Sequence, residues 1–285
     1  MGRYVFVAAA VAVSLTACQE PAIRSTRHLV PVPPQTIALM AKKGMSVSDP
    51  ILMRAYKKES QLELWKRRTD GKYARLKTFP ICRWSGQLGP KIRQGDRQAP
   101  EGFYTVTPAQ MNPNSDNYLA FDTGYPNAYD SAHARTGAYL MVHGGCSSSG
   151  CFAITDEAIA EVYSIAREAF AGGQSGFQFQ SYPFRMTPEN LAKHRPDPNI
   201  AFWRNLKEGS DIFEVTREEP RVAVTNLRYD FGPEPPAVAD KRAADERKLA
   251  KLVANGMPVR RLYEDGGQHA SFRQASAERP SILSR

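Results

Sequence analysis

The sequence predicts an α+β fold, mainly β, with helices at its periphery. Three observations carry that prediction: three strand-length apolar runs between Ile51 and Phe79, two short apolar runs flanking a glycine- and serine-rich loop at 139–154, and one amphipathic helical stretch after that loop. The chain has 285 residues, and the part expected to fold, 50–230, is long enough for a complete core.

At the N-terminus, Arg3 precedes an apolar stretch from Tyr4 to Val13 that is too short for a comfortable membrane span, and Leu15-Thr-Ala-Cys18 ends it. This is an export signal, 1–18. Leu-Thr-Ala-Cys has the form of a bacterial lipobox, so Cys18 is the expected lipidation site, with an ordinary cleaved leader as the alternative. Either way the mature chain is expected in the periplasm or cell envelope, touching membrane only through that lipid. Removing the leader leaves 37 basic and 29 acidic residues, a basic balance that suits an anionic polymer. Nucleic acid is not an expected partner for an exported chain without an aromatic–basic repeat.

Residues 19–49 mix Pro31, Pro33 and Pro34 with basic side chains and read as a tether, with a short helix at Thr36 to Lys43. Pro50 is expected to open the domain. Ile51 to Tyr56, Gln61 to Arg67 and Tyr73 to Phe79, separated by Lys57-Lys-Glu-Ser60 and Thr69-Asp-Gly71, read as an antiparallel meander. The alternation Leu62-Glu-Leu64 predicts one wet face and one buried face. A long loop with several glycines follows from Cys82 to Gln98, and the run Ala99 to Val106 comes after it.

Beyond 154, Thr155-Asp-Glu starts a helix whose apolar residues, Ile159, Val162, Tyr163 and Ala166 among them, recur at three- and four-residue intervals up to Gly172-Gly173. Phe177 to Phe184 reads as a strand. Thr187 is expected as the N-cap of a helix with Pro188 at its first position. Asn199 to Glu208 reads as a helix and Asp211 to Arg217 as a short strand. Residues 231–285 read as a polar tail, partly disordered or helical, with a helix over Ala237 to Ala254.

The chemistry is expected in the loop between Tyr139-Leu-Met-Val142 and Cys151-Phe-Ala-Ile154, which holds His143 and Cys151 with seven residues between them. A thiol becomes a strong nucleophile when a neighbouring imidazole or cation assists it, so Cys151 is the expected nucleophile and His143 its base. No Lys, Arg or His lies between Gly144 and Phe152, which predicts that His143 alone holds Cys151 as a thiolate–imidazolium pair. The amides of Ser149, Gly150 and Cys151 are expected to face an oxyanion. His133, beside small polar residues, is read as a surface histidine.

Two cysteines remain, Cys82 and Cys146. They form a disulfide in an oxidising compartment, stay as two buried thiols, or leave Cys146 as a redox neighbour of Cys151. No metal site is expected, because no third and fourth His or Cys stand at ligand spacing, and no cofactor is called for. Trp84, Lys91, Arg93 and Arg97 in the long loop are candidates for holding a carboxylate-bearing peptide.

His143-Gly-Gly and Ser148-Ser-Gly-Cys151 resemble the signature of the L,D-transpeptidase catalytic domain (YkuD-type), and more closely its YafK-type branch. Pro100-Glu-Gly-Phe and the segment around Tyr125-Pro-Asn127 are also similar to parts of that family. The spacer after the first histidine is short here, and Ser149 stands where the common form has a second histidine. The resemblance implies a β-sandwich or barrel over roughly 50–230. It implies peptidoglycan as partner and Cys151 as the acylated residue acting on the L,D bond of stem tetrapeptides, and it adds Tyr125, Asn127, Gly144 and Ser148 as substrate contacts. It implies either transfer to an amine, with a wall-attached lipoprotein as one acceptor, or hydrolysis that releases lipoprotein or stem residues. Two other classes stand beside it: a non-catalytic wall-binding lipoprotein, and a thiol–disulfide protein using Cys146 and Cys151, whose four intervening residues differ from a C-x-x-C pair.

Overall fold

The computed structural model describes residues 25–260 and 266–277, so the leader and Cys18 lie outside the described residues. Its elements in chain order are α1 (Pro34–Lys42), β1 (Ile51–Tyr56), β2 (Gln61–Arg67), β3 (Tyr73–Pro80), β4 (Arg83–Trp84), β5 (Gly102–Val106), β6 (Met111–Asn112), β7 (Ala120–Asp122), α2 (Ala128–Ala132), β8 (Met141–His143), β9 (Phe152–Ala153), α3 (Asp156–Ala171), β10 (Phe177–Tyr182), α4 (Pro188–Lys193), α5 (Ile200–Thr216), β11 (Ala223–Thr225), β12 (Arg228–Asp230), α6 (Pro236–Ala254) and α7 (Ala270–Ala277). The fold is α+β. Two five-stranded sheets, ordered β3-β2-β1-β10-β5 and β4-β9-β8-β7-β6, pack with α3 around one core.

The meander forms where the apolar runs and turns place it, with β1 pairing β2 from Ile51↔Lys66 to Tyr56↔Gln61 and β2 pairing β3. β10 then joins β1 in parallel, and β5 closes the sheet on β10. Met53, Leu62, Leu64 and Leu76 face Phe121, Val142 and Phe152 of the second sheet, together with Ile159 and Val162 of α3. Thr155 caps α3 by accepting the Ala158 N–H, and Thr187 caps α4 the same way from Asn190.

The expected wet face of β2 is absent. Leu62 through Lys66 are all buried, because α5 covers the far side. Phe213 of α5 stands edge-on to Trp65 at 5.0 Å, and Arg54 donates to Ser210 and Glu214. Glu63 is tolerated there by taking hydrogen bonds from Arg75, Arg185 and Trp65.

α5 itself corrects the expected helix-then-strand at 199–217, since it runs unbroken to an αL residue at Arg217. Between the two expected elements, Gly209 is a packing site. A side chain there would meet Phe103 and Phe231 at 2.5 Å.

Described residues on both sides of 50–230 pack against it. The described part of the 19–49 tether packs into the main core through Val32, Met40 and Met45, and Thr36 donates to Glu161 at 2.6 Å. Apolar residues on one side of a Pro-initiated helix supply what a tether would lack. In the tail, α6 carries buried Val238 and forms Lys207–Asp245 and Lys241–Asp211 ion pairs with α5. Gly267 makes both backbone bonds of an antiparallel bridge with Trp84, a docking that needs backbone rather than apolar side chains. No helix among the described residues is long and apolar enough to cross a membrane.

Candidate active site

The second sheet builds the site from very short strands. β8 starts at Met141, later than the apolar run suggested, because Tyr139 takes a φ of +58° and turns its ring out to solvent at 77% exposure. β7 pairs β8 with Ala120↔His143 and Asp122↔Met141, and β8 pairs β9 in parallel with Val142↔Phe152 and His143↔Ala153. Side chains alternate between faces along a strand, so Phe121, Val142 and Phe152 fill the core while Asp122, Met141 and His143 share the opposite face. Cys151, one residue before β9, belongs to that same face. Its Sγ accepts the Met141 N–H at 3.4 Å and lies 3.8 Å from the Tyr139 carbonyl.

His143 and Cys151 are thus diagonal neighbours on adjacent strands. The His143 ring is buried, and Nδ1 lies 2.6 Å from the Gly144 carbonyl. A carbonyl can only accept, so Nδ1 carries the proton and Nε2 holds the free lone pair a general base needs. Burial pushes the imidazole below its usual range, partly offset by the Gly144 bond. Burial also pushes the Cys151 thiol up; the Met141 amide opposes this, Asp122 adds to it, and Lys91 opposes it. Both directions work against the expected thiolate–imidazolium pair. The physical reason is that the imidazole is buried and the thiol half-buried, where separated charge is costly.

Serine hydroxyls hold the loop around the cysteine. Gly150 N–H donates to Ser85 Oγ at 2.5 Å, Ser85 and Ser148 hydroxyls lie 3.0 Å apart, Ser148 Oγ donates to the Cys151 carbonyl at 2.7 Å, and Cys151 N–H donates back to Ser148 at 3.1 Å. Two of the three amides expected to face an oxyanion are thereby engaged. Only the Ser149 amide, on an exposed residue, carries no hydrogen bond among the described residues. Cys82 and Cys146 are joined as a disulfide with Cα atoms 5.3 Å apart, tying the loop to the chain just before β4, and among the described residues Cys151 is the free cysteine.

Most side chains expected to hold substrate are engaged inside the protein. Trp84 is buried and donates to Ser60. Lys91 is buried against Asp96 at 2.5 Å and also donates to the Arg93 carbonyl. Tyr125 is buried with its hydroxyl 3.3 Å from the Thr136 carbonyl. Asn127 caps α2 and donates to Phe103 and Tyr229. Gly144 is enclosed, since a Cβ there would lie 2.5 Å from Asp156 and 2.7 Å from the Asn117 carbonyl. Ser148 is spent on the cysteine loop. Arg93 and Arg97 remain exposed, while His133 is exposed and bonds the Leu227 carbonyl at 2.9 Å.

Two residues of the site were not singled out by sequence reasoning. Ser85 lies 65 positions from its partner Gly150, a pairing that no local pattern signals. Asp122 lay in view as the residue after an apolar pair ending at Phe121, where strand alternation puts it opposite the core. A cavity of about 280 Å³ lined by Tyr104, Gly124, Asn127, Tyr129 and Tyr229 does not include Cys151 in its walls. Among the described residues, no group of three or more His, Cys, Asp or Glu side chains could hold a metal ion.

A cysteine and a histidine on one face of a short-stranded sheet, with HGG and SSGC loops, sit inside a recognised domain. The chain belongs to the L,D-transpeptidase catalytic domain family, YkuD, whose pattern matches residues 54–172. Within that family it is similar to YafK of Escherichia coli (strain K12), with 43% identity over 187 residues covering 66% of this chain and 76% of that protein; the O157:H7 protein matches equally. Among solved structures it is similar to the helical cell shape determining protein Pgp2 from Campylobacter jejuni, at 17% identity and a TM-score of 0.38 over 67% of this chain and 81% of that one. Bdellovibrio bacteriovorus Bd1075 is similar at 14% identity and a TM-score of 0.34, over 62% and 78%.

Proposed function

We propose that the protein is a cysteine acyl-transferase that works on peptidoglycan stem tetrapeptides through a Cys151 thioester, outside the cytoplasm and held near the membrane by a lipid on Cys18. The observation that carries this reading is the His143 ring, whose Nδ1–H is fixed on the Gly144 carbonyl and whose Nε2 is left as base on the face that carries the thiol. Cys151 Sγ attacks the carbonyl of the L-centre of diaminopimelate while its proton passes to Nε2. The resulting oxyanion meets the Ser149 amide. When the carbon–nitrogen bond breaks, Nε2 returns the proton to the departing D-alanine amine, leaving the thioester and a neutral imidazole. An acceptor amine then takes the acyl group, or water hydrolyses it.

The test is whole-protein mass spectrometry after incubation with purified tetrapeptide muropeptides and with lipoprotein-linked sacculi. The expected result is an adduct on Cys151 that lacks the terminal alanine, with the released product separating transfer from hydrolysis. Cys151→Ala should form no adduct while its melting temperature stays within a few degrees of wild type, since a half-buried thiol in a loop contributes on the order of 1 kcal/mol or less. Product formation by Cys151→Ala would sink the mechanism.

A further inference from the structure

We infer that Asp122 is the receptor for a primary ammonium group of the substrate, placed on the same sheet face as Cys151 and His143. The inference rests on the acyl-transfer reading above and adds to it a chemical requirement on what is bound.

The register places the carboxylate. Asp122 is opposite Met141 across β7 and β8, and Met141 in turn meets Cys151 through its N–H and the sulfur. Two strand spacings separate the aspartate and cysteine backbones, roughly 10 Å. The side chain of a diaminopimelate whose L-centre carbonyl lies at Cys151 sets its second amine at a distance of that order.

Asp122 also lacks what a structural carboxylate at this depth usually has. It is half-buried, its Oδ1 takes the Gly124 N–H at 2.8 Å, and no ion pair reaches it among the described residues. The cation that acts on the same thiol, Lys91, is already paired with Asp96. A half-buried carboxylate without a counter-ion is costly, and burial accordingly draws its proton affinity upward. Nor does Asp122 activate the nucleophile, because a negative charge near the thiol disfavours thiolate. What such a charge stabilises is a cation arriving with the substrate. Charge-assisted hydrogen bonds to a carboxylate are about twice as strong as neutral ones, and water excluded by the bound stem strengthens them further.

The ammonium belongs either to the acyl donor's side chain or to the incoming acceptor, and one experiment separates these sources. Thioester formation on the full chain is followed by mass with two tetrapeptides, one with a free side-chain amine and one with that amine acetylated, alongside iodoacetamide alkylation of Cys151 at neutral pH. Wild type should acylate about 10-fold faster or more with the free amine. Asp122→Asn should lose that preference by slowing on the free-amine stem, while its alkylation by neutral iodoacetamide becomes faster. These opposite signs are what a merely structural role would not produce. If the donors do not differ but Asp122→Asn slows thioester decay to an amine acceptor and not to water, the site takes the acceptor's ammonium. Equal slowing of both stems and of alkylation, or a preference kept by Asp122→Asn, overturns the inference while leaving the thioester mechanism standing. Absence of any thioester in wild type overturns both.

Discussion

In the sheet β3-β2-β1-β10-β5 the strands run five to eight residues, whereas in β4-β9-β8-β7-β6 none exceeds three. The first sheet is held by long ladders and packed on both faces, and even its charged residues are engaged internally: Arg54 with Glu214, Lys57 with Glu101, Glu63 with Arg75 and Arg185. The second sheet has too few ladder bonds to define its own shape. A disulfide, two serine hydroxyls and a histidine–carbonyl bond fix its loops. The difference assigns tasks. The long sheet supplies stability, and the short one presents backbone amides, a thiol and an imidazole at strand ends, where they can meet a substrate.

If that division holds, the largest stability change comes from the long sheet. Lys57 and Glu101 are both fully buried, with Lys57 Nζ 2.9 Å from Glu101 Oε1. Glu101 also accepts from Gly89 N–H and Trp203 Nε1. Glu101→Ala leaves a buried ammonium, an amide and an indole without their partner, and should cost about 3–5 kcal/mol. For a domain of this size that is a fall in melting temperature of roughly 10 °C. Calorimetry checks it, and a shift of only a degree or two would remove the long sheet's polar interior from the account.

Next comes the staple of the short sheet. The Cys82–Cys146 bond spans a separation of 64 residues, for which chain entropy gives about 4 kcal/mol as an upper figure. Cys82→Ala/Cys146→Ala should melt lower by several degrees. It should lose thioester formation at temperatures where the protein is still folded, because the loop that carries Cys151 is no longer tied down. Full acylation by the double variant below its melting transition would show that the serines suffice.

The meander, α3 and α4 were legible in the sequence because period-two and period-3.6 patterns are local and because Thr155, Thr187 and Gly71 punctuate them. What sequence reasoning missed is non-local. A helix more than 130 positions away buries the far face of β2, and the close approach that Gly209 permits is to Phe103 and Phe231, which come from elsewhere in the chain. At the site, Cys151 and His143 stood out by residue type. Residue type also pointed to Trp84 and Lys91 as substrate contacts and the family resemblance to Tyr125 and Asn127, yet each is consumed by a partner that only the folded chain brings near. Asp122 was the reverse case, an ordinary-looking aspartate made notable by lacking an ionic partner among the described residues.

The pH response sharpens the description of the short sheet. The His143 imidazole is held below its usual 6.5 and the Cys151 thiol above its usual 9.0. The rate of thioester formation should therefore be flat from about pH 6.5 to pH 9, falling on the acid side only as the buried imidazole protonates. A thiolate–imidazolium pair would reverse the order of the two titrations and give iodoacetamide alkylation a low-pH limb, which His143→Ala would erase. No such limb is expected in wild type. The signs for stability follow. A depressed histidine means the unfolded chain binds the proton more readily, so its contribution is complete above pH 6.5 and is lost as pH falls. A raised thiol contributes below pH 9 and loses that contribution as pH rises.

The smallest effect expected is at Ser85, and it tests whether hydrogen bonds alone hold the loop. Each serine hydroxyl has one proton to give. Ser148 gives its proton to the Cys151 carbonyl, so Ser85 must give its own to Ser148, and it is then free to accept from Gly150 N–H. The result is a one-way chain from the Gly150 amide through Ser85 and Ser148 to the Cys151 carbonyl, with no hydroxyl proton left over. Ser85→Ala leaves the buried Gly150 N–H without an acceptor, which costs about 1–3 kcal/mol, and a melting temperature lower by a few degrees should report it. Acylation should slow by less than about 10-fold, because Ser148 still brackets Cys151 through both its amide and its carbonyl. Ser148→Ala removes both of those contacts, so it should slow acylation more than Ser85→Ala does at a similar loss of stability. If the order is reversed, the Gly150 amide rather than the orientation of Cys151 is what the serines protect. The released amide would then be the second donor that the oxyanion lacks in the resting protein.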